Sequence, residues 1–350
     1  MGIFGRPSFR AGTHRMLQIE RLGSRVLVCL LLVTALLPTA SIAEPARAHV
    51  RLGILHGAFE MTNFLMSFSG GARLLEPLGY FEGKNLVIER RSALASNDDL
   101  PKLAAELVDL RVDLIVTSGT AATRAARKAT QTIPIVMVIE GDPVAAGLVE
   151  TLARPGGNVT GITRRSTELN GKRLQLLTEV IPGLKRVGVF WDPANPEKSA
   201  EWRTLQATAE SLGLELEPFK VGAEAELEPV FDAVARARCG ALLPLSGRST
   251  LFQHGWRIAA LSVERRIPTI FPGSALVQFG SGLFSYGPNQ LDLSVQFVAY
   301  IDKVLKGASP ANLPIEQPRT FELFLNNRVA KEIGIQFPQS LLIEADTVLD

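Results

Sequence analysis

From Arg51 to Ile139, short runs of β-branched and apolar residues alternate with amphipathic helical patterns, and at Arg186 the alternation starts again. Such an alternation builds a parallel sheet, because each helix returns the chain to begin the next strand in the same direction. Candidate strands are Arg51–Leu55, Asn85–Arg90, Leu114–Ser118 and Ile133–Ile139, separated by helical stretches near Asn63–Leu78, Asp98–Leu110 and Ala121–Ala129. Nearly continuous apolar strands are strands covered on both faces, and their crossovers are expected to be right-handed. In the second half the strands Arg186–Trp191, Leu214–Val221 and Gly240–Leu245 alternate with helices near Ser199–Leu212 and Glu228–Arg238. The halves match in detail. Val112–Gly119 corresponds to Cys239–Gly247, and each is followed by a helix and then an Ile-Pro strand, at Ile133-Pro134 and Ile267-Pro268.

The fold class is therefore α/β, with two doubly wound parallel-sheet lobes joined by a hinge. Past Gly287 the register changes: Asn289–Lys306 reads as a long helix ended by Gly307, Ala308–Pro318 as a Pro-rich connector, and Thr320–Leu325 as a strand before a short helix and tail. Late elements of this kind complete the lobes. Lobe 1 is expected over 49–161 with part of 288–318, and lobe 2 over 162–287 with part of 319–350. The chain is expected to cross between them near Thr160–Arg165, Tyr286–Gln290 and Ala311–Pro318.

The N-terminus carries a different signal. Arg21 and Arg25 precede an apolar run from Val26 to Leu37, Pro38 breaks it, and Ser41-Ile42-Ala43 offers small residues before Glu44. Basic, apolar and small-residue regions in that order describe a secretory signal peptide, here 1–43. The 12-residue run is short of the roughly 20 residues a membrane-spanning helix needs. Ala46-Arg47-Ala48 is a second cleavage site to consider, and Met16 a second start. Cys29 lies at the start of the run, the wrong place for a lipid-modified N-terminal cysteine.

Cleavage after Ala43 leaves 307 of the 350 residues and takes the formal charge from +2 to −2, because Arg6, Arg10, Arg15, Arg21 and Arg25 leave with Glu20. The basic balance thus belongs to the leader and gives no support to nucleic-acid binding. Cys239 is then the remaining cysteine, so no internal disulfide forms, which suits a bacterial periplasm better than a small secreted scaffold.

In open parallel sheets ligands bind beyond the carboxyl ends of the strands. That rule selects His56 and Phe59 after the first strand, Thr117-Ser118-Gly119-Thr120-Ala121 after the third, and Glu140 and Asp142 after the fourth. In the second half it selects Ser246 and Gly247, then Phe271, then Ser285 and Tyr286. The Thr117–Ala121 loop has two readings: a helix N-terminus offering backbone N–H groups to a carboxylate, or an N-cap closed by Ser118 or Thr120. Asp142 before Pro143 suits an ammonium partner or an ordinary turn. Phe59, Phe271 and Tyr286 suit an apolar wall or the core. Catalytic readings fare worse. His49, His56 and His254 form no H-E-x-x-H or paired metal spacing, no Gly-x-Ser-x-Gly elbow occurs, and Gly53–Gly57 lacks the dinucleotide fingerprint. No enzyme activity, metal or cofactor is expected.

The string Gly141-Asp142-Pro143-Val144-Ala145-Ala146-Gly147-Leu148-Val149, continuing through Leu152-Ala153-Arg154-Pro155-Gly156-Gly157-Asn158-Val159-Thr160-Gly161, closely resembles a family of ABC-transporter substrate-binding proteins that includes tryptophan- and tyrosine-uptake members. Leu78-Gly79-Tyr80, Glu82–Asn85, Tyr286-Gly287-Pro288, Tyr300–Ala308 and Leu313–Pro318 fit the same family. The resemblance covers about residues 50–350. It implies a type I periplasmic-binding-protein fold that clamps a ligand between lobes and delivers it to an ABC permease with a separate ATPase. In amino-acid-binding members it places the loop matching Thr117–Ala121 near the ligand carboxylate and Asp142 near its ammonium. The ligand implied is a small polar or amino-acid-like molecule, aromatic or branched, bound by a periplasmic monomer without catalysis. A periplasmic ligand-sensing subunit of a signalling system is the alternative.

Overall fold

Five strands form the first sheet in the order β2-β1-β3-β4-β5, every neighbouring pair parallel. They are β1 (Val50–His56), β2 (Leu86–Ser92), β3 (Leu114–Ser118), β4 (Ile135–Ile139) and β5 (Val159–Thr163). The computed structural model describes residues 49–57, 73–93, 97–164, 166–191, 196–221, 224–245 and 250–350, which lie in one compact unit, Arg47–Asp350. The expected signal peptide and most of the helix expected at Asn63–Leu78 fall outside those residues.

Strands β3 and β4 are apolar on both faces because both are covered. On one face Leu55, Ile115, Ile135, Met137 and Ile139 meet α1 (Leu100–Asp109) and α2 (Thr120–Ala129) through Leu100, Ala104, Leu107, Ala122 and Ala126. The alanines keep α2 close to the sheet. Alternate residues Leu52, Ile54, Leu114 and Val116 are equally buried, as period-2 side chains must be when a helix also covers the other face. That helix is α8 (Gln290–Leu305), which packs on β3, β4 and β5 from far along the chain. Asn289 caps it by accepting from the Asp292 N–H at 3.0 Å. The Tyr300 hydroxyl donates to the Pro314 carbonyl at 2.6 Å.

The second half contributes β6 (Arg186–Trp191), β7 (Glu215–Lys220) and β8 (Ala241–Pro244), a parallel set in the order β7-β6-β8. A parallel bridge from Leu242 to Thr269 joins it to β9 (Ile270–Phe271), β10 (Phe284–Pro288), β11 (Phe321–Asn326) and β12 (Thr347–Leu349). β11 runs antiparallel to β10, so this sheet is mixed where a purely parallel one was expected. Its helices are α3 (Ser166–Val180), α4 (Pro196–Ser211), α5 (Leu227–Arg236), α6 (Thr250–Glu264), α7 (Ala275–Gln278), α9 (Asn327–Ile333) and α10 (Gln339–Glu344). Buried Leu174, Leu177, Val187, Val189, Leu243, Phe284 and Leu325 form one face of this core. Phe190, Phe231, Leu242, Ile258 and Phe271 form the other.

The chain passes between the sheets after β5, at Pro288–Gln290 and at Pro314–Phe321. These segments bond to one another. The Thr163 N–H donates to the Glu316 carbonyl, the Glu316 N–H to Gly161, and the Asn289 N–H to Thr320, at 3.0, 3.0 and 3.1 Å.

Candidate ligand-binding site

Parallel pairing brings every carboxyl end of the first sheet to one edge. His56 stands in register with Ser92 and Ser118, and Ile139 with Thr163. His56 is buried, its Nδ1 3.1 Å from the Ser92 hydroxyl, and burial lowers its pKa, which favours the neutral ring. At the end of β3, Gly119 adopts φ 81° and ψ 158°, a left-side conformation that favours glycine. Its N–H donates to the Val138 carbonyl at 2.8 Å, holding the turn on the sheet. Thr123 gives its hydroxyl proton to the Gly119 carbonyl, so the Thr117–Thr123 hydroxyl pair is donated by Thr117; both bonds are 2.8 Å. Thr117 is fully buried. Its side chain therefore helps build the turn.

The first helical bond of α2 runs from Thr123 N–H to the Gly119 carbonyl, and the cap residue Gly119 has no side chain. The helix thus leaves the N–H groups of Thr120, Ala121 and Ala122 unused. Ser118 and Ala121 beside them are half-buried.

At the end of β4, half-buried Glu140 lies 3.5 Å from the Arg164 guanidinium at the end of β5. Asp142 is exposed, and its Oδ1 accepts from the N–H groups of Val144 at 2.8 Å and Ala145 at 3.3 Å. That is an Asx turn, so this oxygen shapes the Pro143–Gly147 loop, as the Asp-Pro reading allowed.

From the second sheet, half-buried Trp191 ends β6 and stacks on Trp202 of α4, centroids 5.3 Å apart. Half-buried Tyr286 on β10 stacks on Phe321 at 6.1 Å. Phe271 is fully enclosed among Phe190, Phe231 and Val277, so it is core and not a wall. Ser285 is fully buried, and its hydroxyl makes no hydrogen bond among the described residues; alternation turns it inward when Tyr286 faces out. Phe59, Ser246 and Gly247 lie outside the described residues.

Two groups near this edge were not singled out in the sequence. Arg173 of α3 is buried with its guanidinium on the Tyr286 and Pro272 carbonyls. Glu322 of β11 is buried, accepting from the Ser274 hydroxyl at 2.6 Å and the Asn289 amide at 2.8 Å. It joins the turn after β9 to the cap of α8. Burial raises its pKa more than those two donors lower it, with Asp346 and Asp292 adding to the rise. A carboxyl with a raised folded-state pKa favours the native state while protonated. Stability is therefore expected to fall as pH rises from the ordinary carboxyl range through the raised value, and Glu322→Gln is expected to flatten that slope. Urea unfolding across pH 4 to 7 checks it, and an unchanged slope in the variant would contradict it.

A family model described as ABC transporter substrate binding protein matches residues 62–349. A tyrosine-binding protein of Clostridioides difficile is 26% identical over 267 residues, 76% of each chain. A Streptococcus pneumonia ABC domain solved in complex with L-Trp is 26% identical, with a TM-score of 0.76 over 86% of this chain and 100% of its own. A Vibrio cholerae conserved domain protein shares the fold at TM-score 0.76 and 24% identity, over 85% of this chain and 99% of its own.

Proposed function

This chain belongs to the family of ABC transporter substrate-binding proteins, and on that premise we propose that it captures an amino acid between its two lobes and delivers it to a membrane permease driven by a separate ATPase. Lobe 1 comprises 49–161 and part of 288–318; lobe 2 comprises 162–287 and part of 319–350. The protein works in the periplasm as a monomer after loss of residues 1–43, and catalyses no reaction. The three chain crossings act as the hinge, and the ligand stabilises closure by touching both lobes.

The observation that carries this reading is the start of α2. Three backbone N–H groups unused by the helix, at the positive end of its dipole, favour a carboxylate. Glu140 at the end of the adjacent strand supplies negative charge for an ammonium group. Its carboxylate lies 3.5 Å from the Arg164 guanidinium, and Asp142, whose Oδ1 holds its own turn, is the second acidic group at this strand end. Trp191 and Tyr286 give the second lobe apolar faces for an aromatic or branched side chain. The binding of tyrosine and of L-Trp by relatives 26% identical supports the same class.

A thermal-shift screen of protein unfolded and refolded to strip carried-over ligand tests the class. A native-state ligand at about 100 times its Kd stabilises by about 2.7 kcal/mol. The reading predicts a shift with aromatic or branched amino acids and none with sugars or nucleosides. The reverse pattern would overturn the amino-acid assignment.

A further inference from the structure

Sheet pairing between β9 and β10 is two residues long, ending at Phe271 opposite Ser285. Beyond it β9 turns into the Pro272–Ser274 segment, while β10 runs on to Pro288 paired with β11 alone. There the backbones stay pressed together without ladder bonds: a Cβ on Gly287 would sit 2.0 Å from the Pro272 carbonyl oxygen. Arg173 takes over where the ladder stops. Its Nε donates to the Tyr286 carbonyl at 2.8 Å and its Nη2 to the Pro272 carbonyl at 3.3 Å. Its Nη1 donates to Asn170, whose amide in turn donates to Glu201. Asn170, Arg173 and Glu201 are all buried, Arg173 to 1% exposure.

We propose that Arg173 is a positioning residue for ligand binding, its guanidinium fixing the spacing of the Pro272 and Tyr286 carbonyls and so the place where the Tyr286 ring and the Pro272–Ser274 turn meet the ligand. The inference rests on the binding reading above. A planar fork with donors on two edges spans two carbonyls and an amide at once, which an ammonium point charge does not do. The charge is held in place by its surroundings. Burial lowers the guanidinium pKa to about 10, and the Glu201 and Glu140 carboxylates and the Tyr286 phenol oppose that fall, so Arg173 stays cationic at neutral pH. Glu140 belongs to β4's carboxyl end and Glu201 to α4, so the group that sets one wall also lies in the field of the other.

The test uses Arg173→Lys in the full mature chain, with two readouts. In ligand-free protein, amide hydrogen exchange at 273–275 and 285–287 is expected to rise about tenfold or more while the rest of the second sheet changes little, as expected when hydrogen bonds to a charged group are lost locally. In titration with L-tryptophan or L-tyrosine, Kd is expected to weaken by about tenfold or more. Exchange raised uniformly over the second sheet with Kd unchanged would show a merely structural role and overturn the proposal. If Arg173→Lys fails to fold, Asn170→Ala removes the Nη1 acceptor, keeps both carbonyl bonds, and is expected to shift both readouts in the same direction by less; no shift in either overturns the proposal. The exchange readout needs no ligand. Wild-type protein that binds no amino acid therefore refutes the ligand reading, whereas an unchanged exchange pattern refutes the role of Arg173.

Discussion

Gly161→Ala is expected to destabilise this protein by on the order of 3–5 kcal/mol, at the upper end of single-substitution effects. Gly161 lies in the middle of β5 at φ 139°, a conformation L side chains rarely adopt, opposite Met137 of β4. A Cβ there would fall 2.0 Å from the Met137 carbonyl oxygen and 2.6 Å from its nitrogen. Neither neighbour is a flexible side chain that can swing aside. Retreat of β5 is opposed as well, because the Gly161 carbonyl accepts from Glu316 of the third chain crossing. The substitution must separate β4 from β5 or push β5 into that crossing, and either breaks ladder bonds at the place where the sheets are joined. With roughly 2–4 °C per kcal/mol for a chain of 150–250 residues, thermal unfolding should come on the order of 10 °C earlier. Gly157→Ala is the control, since a Cβ there meets nothing within 4 Å, and its midpoint should match wild type. A Gly161→Ala midpoint within about 2 °C of wild type would contradict the packing described for β5.

The second large effect is on binding and leaves the fold intact. Thr120→Pro deletes one of the three N–H groups that α2 leaves unused, at the first helical position, where proline's fixed φ is favourable and no helical bond is lost. The residue before it, Gly119, has ψ 158°, the extended value that precedes proline comfortably. Thr120 is buried, so a small packing loss offsets part of that gain, and stability should move by less than about 1 kcal/mol. A hydrogen bond to a charged group contributes about 1.5–3 kcal/mol. The Kd of a carboxylate ligand should therefore weaken about 10- to 100-fold, read by calorimetry against wild type. An unchanged Kd would remove the start of α2 from the site.

Much of the architecture was legible in the sequence because its signals are local. Strands β3 and β6 run Leu114–Ser118 and Arg186–Trp191, as their apolar runs indicate, and α8 fills the span between its Asn289 cap and Gly307. What escaped reading depends on long-range partners. β5 is five residues with a glycine at its centre, and its place is fixed by β4 and by Leu313–Glu316 from the distant connector. The α3 stripe Leu169–Arg173–Leu177 has a helical period, but the cation at its centre and Asn170 beside it hide the apolar face. They are buried because Glu201 and the Pro272 and Tyr286 carbonyls satisfy them.

The candidate site shows the same division. The strand-end rule selects the edge of the first sheet that holds His56, Ser118 and Glu140, because topology alone defines it. It could not tell which side chains there are already occupied. Thr117 and Asp142 carry suitable chemistry, yet Thr123 and the Val144 and Ala145 N–H groups engage them. Phe271 ends β9 and Ser285 lies within β10, but both point to the inward side of a two-sided core.

Calorimetric titration of the stripped, refolded protein with L-tyrosine and L-tryptophan, each beside its carboxamide, tests the central claim most directly. Capture of an amino acid by its carboxylate at the start of α2 predicts saturable one-to-one binding of at least one free amino acid. The matching carboxamide should bind about tenfold or more weakly. Equal affinity for acid and amide, or no binding of either amino acid, would contradict it.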